Sequence, residues 1–128
     1  MGLLDIFKSK YVSEKDFKDN LQRQMMIYPK VLGELRNTGV SEGAVLHLGF
    51  IFYTNKRSKA EQLHADLLNK GYEMYDVRKS VSNKKWMING QTDPVKMDVA
   101  TLSVWSKEMC EIGYQYDCFF DFWDVERG

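Results

Sequence analysis

Few side chains in this 128-residue sequence have the types and spacing that catalysis or metal binding requires. His47 lies in a predicted strand and His64 in the middle of a predicted helix, and neither has partners at the spacing of a metal site or a catalytic triad. Cys110 and Cys118 form no CxxC motif, so neither a redox pair nor a zinc pair is indicated. We therefore predict reduced thiols, no metal, no cofactor and no catalytic residues, and the chain is not expected to be an enzyme.

The segment from Glu108 to Arg127 is the unusual part of the sequence, because it interleaves acids with aromatic rings. It holds six carboxylates and one basic residue. Side chains alternate between the two faces of a strand. One face of a strand here would carry Asp117, Phe119, Asp121 and Trp123, and the other would carry Cys118, Phe120 and Phe122.

We predict that the acidic face, together with Asp124, is a partially exposed surface that binds a protein partner. Aromatic residues are enriched in the cores of interfaces, and fixed negative charge suits a basic partner. An edge strand whose carboxylates deter aggregation explains the pattern equally well.

Three helices are predicted to support this segment. The first spans residues 13–36: Ser13 is its N-cap and Pro29 marks a kink or a restart. The second begins with a capping box formed by Ser58 and Glu61 and ends before Gly71. The third is capped by Asp98 and ends near Gly113. Each has apolar residues every three or four positions, which is typical of an amphipathic helix.

The strands are predicted from β-branched and aromatic runs. Residues 44–53 are apolar on both faces, which favours a central strand, with His47 as a hydrogen-bonded core or sheet-face residue. Residues 72–79 and 84–92 indicate a hairpin around 80–83, although Asn89–Gly90 is itself a turn signal. Residues 116–125 form the last strand.

The resulting order is one helix followed by β, α, β, β, α and β. This order favours an α+β fold, a ferredoxin-like split βαβ sandwich preceded by an N-terminal helix. We predict a lead over residues 1–12 and one domain over 13–128, with the helix at 13–36 packed on residues 44–126. The predicted core consists of Leu46, Leu48, Phe50, Phe52, Leu63, Leu67, Leu102, Trp105 and Met109.

Composition and charge argue against nucleic-acid and membrane partners. Eighteen basic and eighteen acidic residues give zero net charge, so the bulk attraction that drives nucleic-acid binding is missing, and a nucleic-acid partner is not expected. No apolar run is long enough to span a membrane, and no export signal is present, so we expect a cytoplasmic protein without a membrane partner.

The closing segment resembles the Tyr-Asp-Gly-Trp-Glu motif of the RraB family, regulators of ribonuclease E activity. Phe120, Asp121, Trp123 and Asp124 take the motif's positions, and Phe122 stands where the family has glycine. The resemblance covers roughly residues 22–125 and also includes His47, Phe50, Phe52, Leu63 to Tyr72, and Trp86. It implies a ferredoxin-like fold, no catalysis, and action by binding another protein.

Together these features predict a non-catalytic regulator that binds a protein partner, a ribonuclease or its scaffold. Two other functions fit the sequence less directly. One is an RNA-binding module that uses the sheet aromatics and the basic residues from Lys70 to Lys85. Residues 51–55 resemble the first strand of RNA recognition motifs, but the ring pattern of the partner strand is missing. The other is an immunity-type inhibitor of a toxin, which needs only a stable domain with a charged, aromatic face.

Overall fold

The structure is a computed structural model, and it describes residues 10–126. Within these residues there are three helices: α1 (Glu14–Asn37), α2 (Arg57–Asn69) and α3 (Val99–Gln115). Its strands are β1 (Val45–Leu46), β2 (Leu48–Thr54), β3 (Glu73–Met74), β4 (Arg78–Lys79), β5 (Trp86–Gln91), β6 (Val95–Lys96) and β7 (Phe119–Val125).

The main sheet has β2 at its centre, between β5 and β7, and β3 and β4 both pair with the far side of β5. All these pairings are antiparallel. With β3 and β4 counted as one interrupted strand, the order is that of a ferredoxin-like sheet, and α2 and α3 supply the two crossover helices. The predicted α+β, ferredoxin-like class is therefore confirmed.

Two strands differ in detail from the sequence prediction. The run 44–53 is interrupted at His47: β1 leaves the main sheet to pair with β6, while β2 takes the predicted central position. Thr92 fixes this break, because its hydroxyl accepts the Leu48 N–H and its carbonyl lies 2.8 Å from the ring of His47, whose side chain is exposed. Asn89–Gly90 lies within β5 and makes no turn.

The predicted hairpin around residues 80–83 is present, between β4 and β5. Gly90 is required in β5 for close packing. A Cβ at this position would collide with the carbonyl oxygen of Glu73 on the neighbouring strand and would lie 3.2 Å from the Phe50 ring.

The helix ends follow local capping chemistry. Ser13 and Asp16 form a reciprocal capping box at the start of α1, which continues through Pro29 without a break. The prediction that Ser58 caps α2 is wrong: extended Lys56 is the N-cap, and Ser58 lies in the first turn. Gly71 takes the left-handed conformation after α2, as predicted.

The core lies between the sheet and the helices α2 and α3. Leu48, Phe50 and Phe52 of β2 are fully buried against Leu63 and Leu67 of α2 and against residues of α3. Every predicted core residue is buried except Leu46, which is only partly buried because β1 leaves the sheet. α1 packs along α3, and its residues Tyr28, Leu32 and Leu35 join the same core. Within residues 10–126, no helix combines the length and the apolar character that crossing a bilayer requires.

Candidate functional site

β7 lies at the edge of the main sheet, and α1 covers part of its free side. Asn20 donates to the carbonyl oxygen of Phe120 at 2.7 Å, and Arg23 donates to that of Asp121 at 2.9 Å. Unpaired carbonyl groups at a sheet edge would otherwise offer a template for another chain. The first half of the edge is thus closed by side chains of α1.

A β-bulge at Asp121 changes which residues of β7 share a face. Phe120 pairs with Phe52 and Phe122 pairs with the preceding residue, Ile51, so Asp121 is an extra residue in β7. Phe120 and Trp123 therefore both face the core, and Phe122 faces away from it. The strict alternation predicted from the sequence is wrong from Asp121 onward, because the extra residue shifts the period.

Trp123 consequently lies in the core, and its predicted partial exposure is corrected. Its side chain is 4% exposed and packs against Trp105. Its indole N–H finds no acceptor among the described residues. Trp123 therefore packs beneath β7 and anchors the strand to the core.

Asp117 also differs from its predicted position, because it precedes β7 in the turn that ends α3. It takes a left-handed conformation (φ 58°), and the N–H groups of Asp117 and Cys118 donate to carbonyls of the last helical turn. Glycine usually occupies this position. A turn that closes a helix here explains why Asp117 does not share a strand face with Phe119.

The carboxylate of Asp117 is used inside the molecule. It accepts the backbone N–H groups of Tyr11 and Val12, each at 2.7 Å, and an ammonium hydrogen of Lys59 at 2.5 Å. Thr54 at the end of β2 donates to its carbonyl oxygen at 2.8 Å. Sequence reasoning missed this structural role, since the partners lie far away in the chain.

Four residues remain on the outer side of this strand: Phe119, Asp121, Phe122 and Asp124, which we name the β7 surface. Phe122 is 54% exposed, Asp124 is exposed, and Phe119 and Asp121 are half-buried. The Arg23 guanidinium lies 5.9 Å from the centre of the Phe119 ring. The surface thus offers rings beside carboxylates.

The β7 surface continues across the sheet face that points away from α2 and α3. Phe122 is paired with Ile51, and Phe119 with Tyr53, while Tyr53 is paired on its other side with Met87 of β5. Facing residues of antiparallel strands share one face of the sheet. A partly exposed apolar strip therefore runs from Phe122 to Met87, with Asp124 at its rim.

The β7 surface includes no nucleophile with an adjacent base. Burial raises the pKa of both Cys110 and Cys118 to about 12, so neither thiol forms the reactive thiolate at neutral pH. Within residues 10–126, no three His, Cys, Asp or Glu side chains are placed to share a metal ion.

Phe122 occupies the position at which the RraB motif has glycine, and it does so without strain. Among the described residues other than glycine, only Lys84 and Asp117 have positive φ angles. Phe122 lies within β7, whose extended backbone accepts any side chain, so no glycine is needed at this position.

The family described as "Regulator of ribonuclease activity B", RraB, matches residues 29–125. This range begins within α1 and includes both crossover helices and the whole of the main sheet through β7. No curated protein matches the chain. Since the matched range covers most of the sequence, this chain belongs to the RraB family of ribonuclease regulators.

Proposed function

We propose that this protein regulates a ribonuclease by binding the enzyme, or the scaffold that carries it, through the β7 surface and without catalysing a reaction. The observation that carries the proposal is the exposure of Phe122 beside Asp121 and Asp124 on the edge strand of the sheet. Exposed aromatic residues are enriched at the centres of interfaces, and the carboxylates favour a basic partner surface.

The structure of β7 supports this assignment in two ways. The bulge at Asp121 separates the buried rings of Phe120 and Trp123 from the exposed ring of Phe122. The underlying core and the side chains of Asn20 and Arg23 hold the strand in place. A surface held in this way loses little conformational entropy on binding.

The proposal is tested with purified ribonucleases of the source organism. Binding is measured by calorimetry, and the rate of cleavage of a fluorogenic RNA is measured with and without this protein. We expect one ribonuclease, or its scaffold segment, to bind, and the cleavage rate to change in proportion to the bound fraction. The double variant Phe122→Ala/Asp124→Lys should lose both effects.

The matched control is Val104→Ala/Glu111→Lys, which makes similar changes at exposed positions of α3. It should bind like the wild-type protein, and both variants should melt within a few degrees of it, as exposed substitutions generally do. Equal losses in the two variants would place the interface elsewhere, and RNA cleavage by this protein alone would overturn the non-catalytic function.

A further inference from the structure

Positive charge is concentrated at one end of the main sheet, although the chain as a whole is neutral. Three separate segments reach this end: the connection from β2 into α2, the strand β4, and the loop before β5. The register of β5 brings them together, because Trp86 pairs with both Thr54 and Lys79. We name as the basic end the residues Lys56, Arg57, Arg78, Lys79, Lys84 and Lys85.

Three of these cations lie over aromatic rings. The guanidinium of Arg57 lies 5.5 Å from the centre of the Trp86 ring, and the ammonium of Lys79 lies 5.9 Å from it. Lys85 lies 5.0 Å from the centre of the Tyr11 ring. Such contacts hold a charged group over an aromatic face without neutralising it.

Most of this charge is not cancelled within the described part of the chain. Arg57 pairs with Glu61 at 2.8 Å. The other five cations of the basic end form no ion pair with residues 10–126. Several acids lie toward the opposite end of the strands, among them Glu73, Asp93, Asp124 and Glu126. The zero net charge of the chain therefore conceals a local excess of positive charge at the basic end.

From this local concentration of unpaired cations we propose that the basic end binds the phosphate backbone of single-stranded RNA. Several uncancelled cations spread over one end suit a polymer with regularly spaced negative charges. The expectation that nucleic acid is not a partner depended on net charge and on a missing ring pattern, and net charge does not describe the local field. This second surface goes beyond the proposed regulation through the β7 surface.

The rings favour RNA over an acidic protein segment. Trp86 and Tyr11 are partly exposed among the cations, although Trp86 also packs against the core on the helix side of the sheet. Tyr53 lies near the same end but on the opposite face of the sheet. Proteins that bind single-stranded RNA combine a cationic track with aromatic side chains on which bases stack. An acidic peptide could form ion pairs with the cations, but its carboxylates would not stack on the rings as bases do.

The test measures fluorescence anisotropy of a labelled single-stranded RNA of about 16 nucleotides, titrated with the pure protein. Salt is varied from about 50 to about 200 mM. We expect binding that weakens as salt rises. The variant Lys79→Glu/Lys84→Glu should weaken binding at least about tenfold and reduce the salt slope by about 1.4, the value for two lost phosphate contacts on a single strand.

The matched control is Lys30→Glu/Lys107→Glu, which changes the net charge by the same amount at exposed positions of α1 and α3. It should retain the wild-type affinity and slope. Equal weakening by both variants, or no RNA binding at about 50 mM salt, would overturn the proposal. So would tighter binding of a glutamate-rich peptide than of RNA, since that result would assign the basic end to a protein. No ribonuclease is present in this assay, so its outcome is independent of the β7 surface.

Discussion

The indole of Trp123 meets that of Trp105 edge-on, with the ring centroids 6.1 Å apart and the ring planes at 88°. Trp105 makes a similar edge contact with Phe120, 5.8 Å between centroids. Perpendicular packing of this kind adds to the free energy gained by burying the rings. The strand that carries the candidate interface is thus anchored in the core by its own aromatic residues.

Replacing Trp123 should reveal this anchoring. Trp123→Ala is expected to lower the free energy of unfolding by about 3–5 kcal/mol, since it leaves a large cavity. Trp123→Phe should cost only about 1 kcal/mol, because it keeps most of the ring and removes an N–H that has no acceptor among the described residues. Urea unfolding followed by circular dichroism measures both. Equal stability of Trp123→Ala and the wild-type protein would contradict the buried position.

The side chain of Asp117 and its backbone conformation should each contribute to the stability of the protein. Asp117→Ala is expected to cost about 3 kcal/mol, because it removes a carboxylate that accepts three hydrogen bonds and keeps a Cβ in the left-handed region. Asp117→Gly should cost less, since glycine adopts this conformation freely. Urea unfolding gives the order of stability, and a glycine variant less stable than the alanine variant would show that the backbone conformation does not matter.

Two glycines should respond in opposite directions to substitution by alanine. Gly90→Ala is expected to destabilise the protein by about 2 kcal/mol, since the added methyl group meets the backbone of β3 and the ring of Phe50. Gly33→Ala should stabilise it by about 0.5–1 kcal/mol, because the site is inside α1 and has open space around it. Thermal and urea unfolding of the two variants show whether each substitution raises or lowers the stability.

The two cysteines should be unreactive in the folded protein. With thiol pKa values raised to about 12 by burial, the thiolate fraction at pH 8 is far below that of a free cysteine. Labelling with iodoacetamide should proceed only as fast as the protein unfolds, and both thiols should react at once in urea. Rapid labelling of either residue in native buffer would show that its side chain is accessible.

The N-cap of α3 should make stability depend on pH in the acid range. The N–H of Thr101 donates to Asp98 at 2.7 Å, and this hydrogen bond holds the pKa of the Asp98 carboxyl below its usual value. The stabilisation is therefore complete above the unfolded pKa, near 4, and is lost as the pH falls through the lower folded pKa. Asp98→Asn should keep a cap but flatten this part of the pH dependence of Tm.

Local chemistry in the sequence predicts much of this fold. The capping residues Ser13 and Asp98, the left-handed Gly71, and the apolar run of β2 each lead to the observed element. The α2 cap was misplaced because Ser58 and Glu61 match a capping box two residues after the observed N-cap. Lys56 is the N-cap instead, in an extended conformation and without a side-chain cap hydrogen bond, so side-chain capping chemistry does not identify it.

The candidate site was harder to predict because its geometry depends on distant residues. The bulge at Asp121 is fixed by pairing with β2, so the period of the strand alone gives the wrong face for Trp123 and Phe122. The use of Asp117 depends on Tyr11, which is 106 positions away in the chain. The acidic and aromatic composition of the segment identified the strand correctly, and tertiary pairing decided which of its residues face solvent.

The contacts between α1 and β7 have a consequence for synthesis of the protein. Asn20 donates to the carbonyl of Phe120, which is made 100 residues later. α1 also packs along α3, which begins at Val99. At about 5–20 residues per second, the first helix leaves the ribosome roughly 5–20 s before its last partner is made. During that interval the residues that bury Tyr28, Leu32 and Leu35 in the folded protein are not all present. The nascent chain therefore exposes an apolar helix face that chaperones can bind, and a product truncated before α3 begins at Val99 would keep that face exposed.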